Sequence, residues 1–154
     1  MSAKPIAFSE ESKKAIRDYL VKWEKGVEDA IIYNLSYAGD KCLAAARTSS
    51  GYTDQTGNLR SSIGFRLLKD GKLINESSFE VIKKGNEGAK EGLAKVEKIA
   101  ANFPRGIVLV FVAGMDYAGY VADTGRDVLD SAALLADKLV PKLLENVRKK
   151  INGQ

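Results

Sequence analysis

The chain has 154 residues, of which 45% are apolar and 29% charged, with 24 Lys and Arg against 20 Asp and Glu for a net charge of +4. That length and mixture fit one globular domain with its own core, and argue against a disordered tail or a membrane-embedded chain. One cysteine and no histidine are present, which removes an intrachain disulfide, the commonest general base and the commonest transition-metal ligand together.

Residues 1–8 read as a flexible arm without the continuous apolar core of a signal peptide. No apolar run approaches the roughly 20 residues that cross a bilayer. The expectation is a product that stays in the cytoplasm or inside a particle assembled there. The sequons Asn34-Leu35-Ser36 and Asn75-Glu76-Ser77 are then idle.

Ser9, followed by Glu10 and Glu11, predicts a helix start: the hydroxyl accepts an orphan amide and the acids face the positive helix end. Ile16, Leu20, Trp23, Val27, Ile31, Leu35, Ala38, Cys42 and Ala45 then recur in steps of three and four, so the helix is expected to reach about Arg47. It would be on the order of 55 Å long, against a radius of gyration near 15 Å for a domain of this size. Gly26 and Gly39 are expected to bend it. A helix this long needs something beyond its own domain to pack on, and self-assembly is one candidate. Cys42 on this stretch reads as a small buried apolar residue.

After a polar loop, Thr56 is placed to cap a short turn through Arg60, with Leu59 buried and Arg60 pointing outward. Ile63 to Leu68 alternates as a strand, and Asp70-Gly71 is a strong hairpin turn. The best return strand is Ser78 to Ile82. Lys84 to Asn102 predicts a helix with Leu93, Val96, Ile99 and Ala100 on one face, stopped by Phe103-Pro104. Ile107 to Val112 is continuously apolar and predicts a central, buried strand. Tyr117 to Ala122 reads as a short helix. A last helix is expected from near Asp127, with an apolar stripe of Val128, Leu129, Ala132, Leu135, Leu139, Leu143, Val147 and Ile151, and Pro141 kinking or dividing it. The fold class expected is α+β: a long N-terminal helix, a small antiparallel sheet with an inserted helix over 85–103, and a C-terminal helix packed on the sheet, all one domain over 1–154.

Several chemistries fail on the residues. Gly51 to Asn58 lacks the spacing of a phosphate loop and has Asn58 where its lysine is required. Ser61 and Ser62 have no histidine to activate them. Asp116, Asp123, Asp127 and Asp130 lack the alternating spacing of a calcium loop and read better as helix caps. No enzyme activity, cofactor or metal is expected. Lys13-Lys14 and Lys83-Lys84 read as solvated faces, and Phe65 and Phe79 as core. A nucleic-acid-binding accessory protein using a basic face is the alternative reading, although acidic residues interrupt most basic runs.

Two short motifs remain: Thr56-Gly57-Asn58-Leu59-Arg60-Ser61-Ser62, and Tyr117-Ala118-Gly119-Tyr120-Val121 followed by Gly125. Their order, between a long first helix and a closing helix, resembles the bacteriophage tail-completion (head–tail joining, minor tail component) family. Its patterns T-G-x-L-R-x-S and Y-A-x-Y-V-E are met by Thr56, Gly57, Leu59, Arg60 and Ser62, and by Tyr117, Ala118, Tyr120 and Val121. The glutamate of the second pattern falls on Ala122, with Asp123 next, so an ion pair from that acid to Arg60 is not carried over. The resemblance implies a phage- or prophage-encoded structural virion protein that joins a homo-oligomeric ring at the head–tail junction. Its partners would be other tail and connector proteins, with no membrane or direct nucleic-acid contact, and the isolated subunit could be monomeric. Tyr117, Tyr120, Arg60 and the outer face of the long helix would then form contacts.

Overall fold

Ser9 opens the first helix as expected, its hydroxyl accepting the Ser12 amide at 3.1 Å. Helix α1 spans Glu10–Thr48, with Glu10 and Glu11 in its first turn and Arg47 in its last. The computed structural model describes residues 6–48, 52–116 and 118–153. After α1 come α2 (Asn58–Ser61), β1 (Ile63–Lys69), β2 (Lys72–Glu76), α3 (Asn86–Ala100), β3 (Ile107–Ala113), α4 (Ala118–Asp123) and α5 (Asp130–Ile151). The fold is α+β, and no helix among the described residues is long and apolar enough to cross a membrane.

The sheet order is β2-β1-β3, antiparallel throughout. Asp70 (φ 49°) and Gly71 (φ 76°) both take left-handed conformations, which suits a tight two-residue hairpin. The return strand therefore starts at once, pairing Lys69 with Lys72 and Leu68 with Leu73. This displaces the expected strand at Ser78 to Ile82, which is irregular. A second correction concerns β3, which lies at an edge while β1 holds the centre. The apolar run of β3 reflects cover on both faces, not a central place. Ile63, Phe65 and Leu67 of β1, with Phe111 of β3 on the same face, turn toward α1 and α5. Leu68, Val108, Val110 and Val112 turn the other way and pack with Val96, Ile99 and Ala100 of α3. The Phe65 and Phe111 rings stack at 6.3 Å.

α1 passes through Gly26 and Gly39 without interruption, and two further expectations are revised. Gly39 is needed for approach: a β-carbon there would come within 2.9 Å of the buried Phe65 ring. On α3, Leu93 is exposed, and the buried stripe is Gly88, Gly92, Val96 and Ala100. Small residues win that face because a β-carbon at Gly88 would lie 1.9 Å from the Asn58 carbonyl oxygen. Finally, α5 begins at Asp130, not Asp127, and runs undivided through Pro141. The proline gives up its own ladder bond and crowds the preceding turn, yet the helix is unbroken across it. The first turns of α5 join the core through Ala132, Leu135 and Ala136, beside Cys42 and Ala46 of α1. Its last turns lie along Tyr19 to Asn34, so the two helices run antiparallel.

Candidate functional site

The first motif folds into a knot of short-range hydrogen bonds around α2. Its cap is Asp54, which the sequence reading passed over. The Gly57 and Arg60 amides each donate to the buried Asp54 carboxylate at 3.0 Å, so one side chain satisfies two amides at the start of the turn. Thr56, the expected cap, is exposed, and its hydroxyl accepts a longer bond from the Asn58 amide, 3.3 Å. Gly57 has φ 82°, and a β-carbon on it would stand 1.9 Å from the Ile82 carbonyl oxygen. Conformation and space both demand glycine there.

From this turn, side chains reach into three other elements. Asn58 accepts the Gly88 amide at 3.1 Å and thereby caps α3, whose own N-cap residue Gly85 has no side chain to offer. Ser61 accepts the Ile82 amide at 2.7 Å. Ser62 donates to the Leu59 carbonyl at 2.7 Å and accepts the Gly114 and Met115 amides at 3.1 and 3.3 Å. Both serines are fully buried. They are structural clips, each hydroxyl replacing hydrogen bonds that burial would otherwise leave unmade. Lys83, expected on a solvated face, reaches back to the Asp54 carbonyl at 2.7 Å.

The Ser62 contacts tie the first motif to the approach of the second. Ala118 is buried in the same core cluster as Leu59, Ile63 and Tyr52, with Val121 and Ala122 packed against it. Gly125 (φ 79°) closes α4, its amide donating to the Ala122 carbonyl at 2.9 Å. Tyr117 lies outside the described residues, and of Tyr120 only its place in α4 is described. Arg60 is half-buried and does not simply point outward: its guanidinium lies over the Tyr52 ring, 4.8 Å from the centroid. Gly57, Leu59, Ser62 and Ala118 are thus interior, while Thr56 and Gly125 are exposed.

Arg47, at the end of α1, was not singled out by sequence. It donates to the Ile63 and Ser78 carbonyls at 3.0 and 2.9 Å and stands 3.7 Å from Glu80. Burial lowers its pKa from the ordinary arginine value, and the Glu80 carboxylate acts against that shift. It pins the irregular segment after β2 to α1. Arg66 similarly bridges Glu76 of β2 and Glu97 of α3 at 2.9 and 3.0 Å. The Cys42 thiol is buried and its pKa is pushed up by desolvation, in keeping with a small core residue. Among the described residues, no group of three or more His, Cys, Asp or Glu is placed to hold a metal. Asp127 accepts the Ser131 amide at 3.0 Å, in the manner of a cap.

An exposed apolar stretch lies elsewhere, on the overlong α1. Every residue from Ile6 to Gly26 is exposed, including Ile16, Tyr19, Leu20, Val21 and Trp23. The stripe that is buried at Ala38, Cys42 and Ala46 continues with larger side chains that no described residue buries. Comparison with known proteins finds no matching family model, curated protein or solved structure.

Proposed function

We propose that this chain is a structural component of a phage head–tail junction, phage- or prophage-encoded, which acts by fitting its surface into a ring of protein subunits. The observation that carries the proposal is the bare apolar half of α1: leaving Ile16, Leu20 and Trp23 in water is unfavourable by roughly 25 cal/mol for each Å², and assembly is the direct way to cover them. The interlocked motifs support the same reading from a different side. Asp54, Asn58, Ser61 and Ser62 hold α2, α3 and the end of β3 in one rigid body, which suits a part that must fit a fixed neighbour. Chemistry plays no role in this proposal: the work is done by heterologous contacts repeated until a ring closes.

The test is genetic and microscopic. Particles made without the protein should appear in electron micrographs as separate heads and tails, and the protein should co-purify with connector and tail components. Normal infectious particles formed in its absence would refute the assignment.

A further inference from the structure

The two arms of the helical hairpin differ in length. α1 has 39 residues and α5 has 22, so α1 outruns its partner by about 25 Å at 1.5 Å per residue. Where α5 ends, the two helices frame an open groove of about 990 Å³. Tyr19, Trp23, Gly26 and Tyr33 of α1 line it, with Val147 and Ile151 of α5 on the other wall. Trp23 is 49% exposed and Tyr19 68%. One turn from Trp23, a β-carbon on Gly26 would meet nothing within 4 Å. A large knob and an empty hole therefore stand next to each other on one helix face.

We infer that the groove seats a second copy of this chain, the two α1 helices packing antiparallel with Trp23 of each over Gly26 of the other. With knob and hole side by side on one surface, a two-fold pair fills both at once, and two-fold symmetry is the commonest symmetry of soluble dimers. Charge selects the register. With Trp23 facing Gly26, Lys22 on the flank of one helix lies beside Asp29 on the same flank of the other. A slide of one heptad toward the amino ends sets Lys22 against Lys22 instead. Lys22 has no ion pair among the described residues, and Asp29 pairs with the exposed Lys25 at 3.2 Å and feels the charge of Lys69. The coverable surface also suffices. Ile16, Tyr19, Leu20, Trp23 and Tyr33, at their present exposures, offer on the order of 1,000 Å² over two copies, the size at which specific interfaces begin. This contact covers the same Ile16, Leu20 and Trp23 that the virion reading leaves to assembly, so the building unit of a ring would be the dimer, and failure of the dimer returns those residues to ring contacts and leaves that reading standing.

Sedimentation and light scattering of the whole protein test it. The expected result is a concentration-dependent species of twice the 16.7 kDa chain mass. Gly26→Leu fills the hole at an exposed site and favours the helix, so the variant should fold at least as well yet dimerise with a Kd raised roughly tenfold or more. Trp23→Ala should do the same by removing the knob. Lys22→Asp and Asp29→Lys should each weaken the dimer, and the two together should restore it. A monomer at the highest soluble concentration would overturn the inference and leave the groove to a different protein. So would a dimer that tolerates both Gly26→Leu and Lys22→Asp.

Discussion

The two halves of α1 share one periodicity and have opposite fates. From Ala38 to Ala46 the stripe is made of small residues, Ala38, Gly39, Cys42 and Ala46, all buried under the sheet and α5. From Ile16 to Trp23 the same stripe carries large side chains that stand in water. Small residues at the buried end let the helix approach β1 until Gly39 touches Phe65. Large residues at the free end would hold any such neighbour at a distance, and they present area for a partner instead. Side-chain size along one stripe thus separates the part of a helix that serves its own core from the part that serves an interface.

Substitutions at the two ends should break this comparison if it is wrong. The largest effect is expected for Phe65→Ala, which empties a fully buried site against Gly39 and Phe111 and should cost about 3–5 kcal/mol in denaturant unfolding. Arg47→Met comes next. It leaves the Ile63 and Ser78 carbonyls without their shared donor, Nη2, and should cost about 2–3 kcal/mol, with Arg47→Lys recovering only part because a single ammonium lacks the second nitrogen that faces Glu80. Ser62→Ala strands the Met115 amide and leaves the Gly114 amide with the Ser62 carbonyl alone at 3.0 Å, so it should cost about 1–2 kcal/mol, with faster hydrogen exchange at Met115. At the free end, Trp23→Ala should change the unfolding free energy of the monomer by less than about 0.5 kcal/mol at dilution. A large loss there would mean that the exposed half belongs to the core after all.

The smallest effect is a matter of pH. Arg148 holds the Glu145 carboxyl below its ordinary value through a hydrogen bond at 2.7 Å. A depressed carboxylate stabilises the fold above its unfolded pKa, and that contribution is lost as pH falls through the folded one. Both side chains are solvent-exposed, so the acid-side loss measured by thermal melts should be slight, should fade with added salt, and should vanish in Glu145→Gln.

The legible parts of this protein were those written in local pattern. Ser9 at the head of α1, the two left-handed residues Asp70 and Gly71, and the 3.6-residue stripes of α1 and α5 each declare themselves within a few positions, because caps, turns and periodicity are short-range physics. Less was legible at the candidate site. Thr56 stood in the right place to cap α2, but Asp54 offers two carboxylate oxygens to two amides at once and displaces it. Nothing near Gly85 announces that Asn58 will cap α3 from another part of the chain.

By itself the sequence determined that this would be an α+β domain with one overlong amphipathic helix, since residue periodicity reports which side of an element must avoid water. Only the tertiary structure decided that β1 is central, that β3 is an edge, that the glycine stripe of α3 is a packing face, and that α5 stops short of the amino end of α1. Those facts depend on which surface covers which. A buried stripe and a bare one have the same period, and neighbours distant in the chain alone tell them apart.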